Sequence, residues 1–127
     1  MDALSSVAVY ALGLACLGRG IMALDKPERE YSIHGLPSPD PSHQAVTDPP
    51  IYMLAVREMS IGLYLLAHQY YGNRAAVACL LAVMAFIKWG DGGVVWLTGG
   101  EKGKSKALGH WFTGTVLLAW TLCILLG

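Results

Sequence analysis

Six ionisable side chains stand inside stretches that are otherwise aliphatic and aromatic: Arg19, Arg57, Glu58, Lys88, Asp91 and His110. Groups of this kind at membrane depth cost a few kcal/mol on insertion scales, and they pair with one another or line a polar cavity. Two carboxylates, one histidine and two arginines make an acid/base set. In apolar surroundings one carboxyl of a pair can keep its proton while the other is ionised, because burial and neighbouring arginines act in opposite directions. Such a set suits isomerisation, dehydration or ring closure without a cofactor. No serine or cysteine nucleophile motif, phosphate loop or metal-ligand cluster accompanies it. Glu58 or Asp91 is the candidate general acid and His110 its base partner. Arg57 is the candidate anchor for an anionic or enolic oxygen, with Arg19, Tyr64 and Lys88 as further substrate-binding candidates.

The elements that must position these groups are long and apolar. The chain has 127 residues, enough for one domain; 54% are hydrophobic and 14% charged, against about 25% charged in soluble domains. Four stretches, about 4–24, 52–71, 75–97 and 108–126, are each long enough to cross a bilayer, since about 20 residues of helix span about 30 Å. A soluble four-helix bundle would need a polar face on every helix, and VAVYALGLACLG and TVLLAWTLCILLG offer none. The expected fold is all-α, a single integral membrane domain of four transmembrane helices in an antiparallel bundle, with one long Pro-rich loop over 25–51. The lipid bilayer is its first partner. A formal net charge of zero gives no basic footprint for nucleic acid.

In the first helix, Ala11 and Ala15, then Cys16 and Gly20, repeat small residues every four positions, which lets another backbone approach. Gly18 and Gly20 clear room around Arg19, whose two open readings are snorkelling to the headgroups and an inward role. The apolar run is too long for a cleaved signal and lacks a basic n-region. Cys16, Cys79 and Cys123 each stand alone and read as small packing residues.

Residues 25–50 contain all six prolines and exceed the usual loop length. The apolar content of YSIHGLP argues for a partly ordered cap on the bundle, with Pro49 and Pro50 fixing the start of the second helix. His34 and His43 have no partner at ligand spacing and read as solvent-facing. Arg57, Ile61, Tyr64 and His68 share a helix face, with Glu58 and Gly62 about 100° round. Gly72-Asn73-Arg74 is a turn short enough to make the second and third helices neighbours. Lys88 can pair with Asp91 or snorkel, while Gly90, Gly92 and Gly93 around Asp91 predict a loosened helix lining a cavity. TGGEKGKSKALG reads as the last loop, and a histidine at the start of the fourth helix is interfacial unless its neighbours make it part of a site.

All four helices thus bring polar residues to one end at similar depth. Carboxylates have short stems and snorkel poorly, so Glu58 and Asp91 argue for a shared pocket under the 25–50 segment. The sequence here resembles a family of small four-helix integral membrane proteins of unknown function, frequent in fungi and often met in secondary-metabolite gene clusters. The matching features are Gly18-Arg19-Gly20, His34-Gly35-Leu36-Pro37, Arg57-Glu58 with Gly62, Asp91 and His110. The family pattern more often has Arg-Asp where this chain has Arg57-Glu58, which keeps the sign of the carboxylate. The resemblance implies a fungal metabolic context and supplies no reaction. Two functions stay open: a cofactor-free isomerase, dehydratase or cyclase acting on a lipophilic small-molecule substrate, and a non-enzymatic scaffold or small carrier. Homo-oligomers or complexes with pathway enzymes are compatible with either.

Lys26, Arg29, Lys102, Lys104 and Lys106 lie in the first and third connections, whereas the opposite side carries Arg74 alone. The positive-inside rule then places both termini in the lumen, the endoplasmic reticulum being the default organelle, and the pocket towards the cytosol. A glycosylation acceptor at either terminus should be modified and one within 101–106 should not. Modification within 101–106 would reverse the orientation.

Overall fold

Asp2 starts the first helix: its carboxylate accepts from the Ser5 amide at 2.8 Å, satisfying a donor that has no partner within the helix. The structure, a computed structural model, describes residues 2–127, and the side chains of residues 43–47 lie outside the described set. The helices are α1 (Ala3–Asp25), α2 (Glu28–His34), α3 (Gln44–Tyr70), α4 (Arg74–Thr98) and α5 (Gly100–Leu126), with a 3-10 turn at Pro41–His43. Four of them, with spans Ala3–Asp25, Asp48–Tyr70, Arg74–Thr98 and Gly100–Leu126, are long and apolar enough to cross a membrane.

The connection over 25–51 is more ordered than a Pro-rich loop. Pro27 starts α2, Glu28 and Glu30 occupy its first turn, and Gly35 ends it in the left-handed region at φ 80°. Proline first, acids next and glycine last is the order that helix ends favour. Pro49 and Pro50 do not precede α3 but lie within it, directly after Asp48 at the start of the apolar span.

The last loop is also replaced by helix. Only Gly99 separates α4 from α5, and Gly100 takes φ 64° to turn the chain. The lysine-rich segment forms the first turns of α5, where Glu101 and Lys104 pair at 2.6 Å. Nor does α4 loosen at Gly90–Gly93: its helix is continuous there. Gly92 instead makes room for the Trp111 indole, which donates from Nε1 to the Trp89 carbonyl at 3.1 Å. One turn pair further on, Gly114 receives the Trp89 ring, 2.6 Å from where a Cβ would stand.

α1 packs on α3 and α4 packs on α5, whereas α3 and α4 touch sparingly although three residues join them. The α1–α3 seam is built on Gly13, Gly20 and Gly62, not on Ala11 and Ala15, which are exposed. A Cβ on Gly62 would lie 2.6 Å from the Gly13 carbonyl oxygen, and one on Gly20 would lie 2.7 Å from that of Ala55. Gly20 therefore serves helix contact instead of clearing space for Arg19, and Gly18 faces open space. Cys16 is buried in the core with Leu65, Leu81 and Leu117, while Cys79 and Cys123 are exposed and do not pack. At one end Trp120 Nε1 donates to Ser5 Oγ at 3.0 Å and Arg74 donates to the Ile124 carbonyl at 3.0 Å. At the other end α2 caps the bundle. Gly35 lies on the α4–α5 joint, with its carbonyl against Gly99 and Gly103.

Gly62→Ala should lower stability by about 2 kcal/mol, because fixed backbone opposes the new methyl. Gly18→Ala, in open space, should be neutral or slightly stabilising, since alanine is the better helix former. Thermal unfolding in detergent checks both, and an equal response at the two positions would refute the seam.

Candidate functional site

Glu30 is 2% exposed, and a buried carboxylate needs partners. It has two. Arg19 Nη2 donates to its Oε2 at 2.6 Å, and the Nε2 of His34, one turn along α2, lies 3.2 Å from the same oxygen. Arg19, with a third of its side chain still exposed, thus ties the end of α1 to the cap.

His34 then meets α5. Its ring stacks parallel to that of His110 at a centroid distance of 6.0 Å, and the His110 Nε2 lies 3.4 Å from the His34 carbonyl oxygen. The His34 carbonyl oxygen can only accept, so the His110 contact is made by the tautomer with its proton on Nε2, which leaves Nδ1 as that ring's basic nitrogen. Burial holds the His34 pKa below its ordinary value of 6.5, and the nearby charges of Lys88, His110 and Arg19 act the same way; Glu30 opposes them. The imidazole is neutral at pH 7.

A second cluster lies between α3 and α4. Arg57 Nη2 is 3.8 Å from Glu58 Oε1 and 3.9 Å from Asp91 Oδ2, and Lys88 Nζ is 3.9 Å from that same Asp91 oxygen. These are ion-pair distances too long for hydrogen bonds. Asp91 Oδ2 and Arg57 Nε are both buried and make no hydrogen bond.

Two cavities flank these groups. The outer one, about 570 Å³, lies between α3 and α4 and is lined by His34, Arg57, Asp91 and His110 at its polar end, with Ile51, Met53, Leu54, Val94 and Val95 along its walls. The inner one, about 220 Å³, lies within the bundle, bounded by Arg19, Glu30, Glu58, Lys88 and Thr113 and floored by Leu12, Cys16, Ile61, Met84 and Leu117. His34 and Leu54 line both.

Six of the seven sequence candidates, Arg19, Arg57, Glu58, Lys88, Asp91 and His110, therefore border these cavities. Tyr64 does not: it is 40% exposed and packs on His68 at 4.2 Å, two turns along α3 from Arg57. Glu30 and His34 were missed, and His34 is the opposite of the solvent-facing residue its isolation suggested. The signal was the i,i+4 spacing of Glu30 and His34 between Pro27 and Gly35, a short helix with one polar face. The His43 side chain lies outside the described residues. Among the described residues no group of three His, Cys, Asp or Glu side chains could hold a metal ion.

The family described as "Domain of unknown function (DUF4267)" matches residues 13–124. The chain belongs to this family. The DUF4267 match takes in every residue of both ionic clusters, from Arg19 to His110. No curated protein and no solved structure matches the chain.

Because the folded state holds His34 neutral, an unfolded chain binds the extra proton first as pH falls through 6.5. Folding stability should therefore be complete above that value and decline below it, by up to about 1.4 kcal/mol per pH unit, until the depressed folded pKa is passed. Melting temperatures of wild type and His34→Gln between pH 7.5 and 5 check this. A wild-type slope no steeper than that of the variant would refute it.

Proposed function

We propose that this chain is an integral membrane enzyme of the acid/base type, a cofactor-free isomerase, dehydratase or cyclase acting on a lipophilic metabolite. In this reading its four spans form an antiparallel bundle in the endoplasmic reticulum, with both termini lumenal and the cap cytosolic. The metabolic setting is fungal secondary-metabolite biosynthesis. One observation carries the chemistry: a cavity of about 570 Å³ with aliphatic walls ends on two imidazoles, a carboxylate and a guanidinium. Substrate cavities share that volume and that division between apolar walls and a few convergent polar groups.

In an isomerisation the Nδ1 of His110 takes a proton from a carbon beside a carbonyl. The electron pair moves onto the carbonyl oxygen, where Arg57 stabilises it. Return of that proton from the imidazolium to a different carbon completes the step and regenerates the neutral His110. Nothing is oxidised or reduced. Arg19 and Lys88 keep the carboxylates oriented.

The ion pairs themselves favour a second reading, a scaffold or small carrier in which Glu58 and Asp91 only balance Arg57 and Lys88. The two readings part on conservative variants. Glu58→Gln, Asp91→Asn and His110→Gln keep size and polarity and remove the proton chemistry. In the enzyme at least one should retain normal membrane abundance while product falls about 100-fold or more. Where the carboxylates only balance cations, neutralising one leaves a cation without its partner, so abundance falls together with activity. The substrate comes from the metabolite that accumulates when the gene is deleted. Full turnover by all three variants would sink the enzyme reading.

A further inference from the structure

The charges around the two cavities cancel. Arg19, Arg57 and Lys88 face Glu30, Glu58 and Asp91, and each carboxylate has a cation within 4 Å. These three cations and three carboxylates sum to zero. A ligand bearing a carboxylate, phosphate or ammonium would bring an unbalanced charge out of water and onto aliphatic walls, with a desolvation penalty. A neutral head adds none.

Hydrogen bonding narrows that head further. Asp91 Oδ2 is a buried acceptor without a donor, and Arg57 Nε is a buried donor without an acceptor. Their side chains face each other, with the Arg57 Nη2 3.9 Å from that oxygen. Facing side chains that carry one unmatched acceptor and one unmatched donor, each costly to leave so, complement a group that both donates and accepts. A hydroxyl does this, as does an enolised ketone. The walls select the rest of the molecule. Met53 and Val94 line the outer cavity and are also 75% and 55% exposed, so the cavity opens sideways between α3 and α4, towards hydrocarbon when the helices span a bilayer.

We infer that the site takes an uncharged, single-headed lipophile, a long-chain alcohol or hydroxy-ketone, which enters from the bilayer between α3 and α4 and places its hydroxyl between Asp91 and Arg57. The inference rests on the enzyme reading for what happens next and not for binding itself.

The test uses the full chain in phosphatidylcholine nanodiscs and four probes with one tail carrying a diazirine: a primary alcohol, a β-hydroxy-ketone, a carboxylate and a primary ammonium. Photolabelling and peptide mapping at pH 7 should place the first two on 51–57 and 91–95. Labelling there should fall at least fivefold under excess unlabelled alcohol, and the charged probes should label it at least fivefold less. Leu54→Trp, which fills the junction of the two cavities, should abolish that labelling without loss of helical signal. Equal labelling by all four heads, preference for a charged head, or labelling spread over outer helix faces would overturn the inference. Saturable alcohol binding without conversion of any substrate would leave it standing and remove the enzyme reading. Turnover of a charged-headed substrate would do the reverse.

Discussion

A carboxylate buried to 2% exposure, Glu30, holds the architecture of the site together. Alone it would be untenable in that position, and its two partners come from different places: Arg19 from the end of α1 and His34 from its own helix. Satisfying it therefore forces α2 down onto the bundle and fixes the His34 ring. The same cap sets its Gly35 into the α4–α5 joint and brings the His34 carbonyl to His110. One desolvated charge thereby connects the ends of three helices and sets His34 at the border of both cavities.

The apolar part of the bundle obeys a different constraint. Helices in hydrocarbon gain nothing from burying apolar surface against each other, so close approach and interlocking shape must hold them. Gly13, Gly20 and Gly62 let α1 and α3 meet backbone to backbone, and the Trp89–Gly114 and Trp111–Gly92 pairs lock α4 to α5. Among the described residues no comparable device lies between α3 and α4. Two tight pairs with a looser boundary leave a cleft, and that cleft is the outer cavity. The wide side chains at the boundary are the ionic ones, so the opening and the chemistry share one location.

The charge pattern links the two constraints. Six charged groups in pairs can be kept among apolar helices because each is near its opposite, at distances from 2.6 to 3.9 Å. The cap pair is short and closed, whereas Arg57, Asp91 and Lys88 are spaced widely enough to leave Asp91 Oδ2 and Arg57 Nε unmatched. The first arrangement stabilises, and the second keeps hydrogen-bonding capacity in reserve beside an apolar chamber.

Composition and periodicity alone determined four long apolar helices, the turn at Gly72-Asn73, and the gathering of Arg19, Arg57, Glu58, Lys88, Asp91 and His110 at one end. Those features depend on chain length, hydropathy and the fixed rise of a helix, all of which are local. Tertiary structure decided the rest. Which glycine faces a neighbour depends on helix rotation, so Gly62 and Gly92 became contacts while Gly18 and Gly90 stayed open, and the expected loosening at Asp91 did not occur. The lysine-rich segment became helix because it continues directly from Gly100, a contact-dependent extension that its polarity concealed. His34 gave no sign of importance by spacing to other histidines. Its role exists only because Arg19, eleven residues before Glu30, and His110, on the last helix, converge on one short cap. Burial of that cap is a property of the assembled bundle, and no local pattern encodes it.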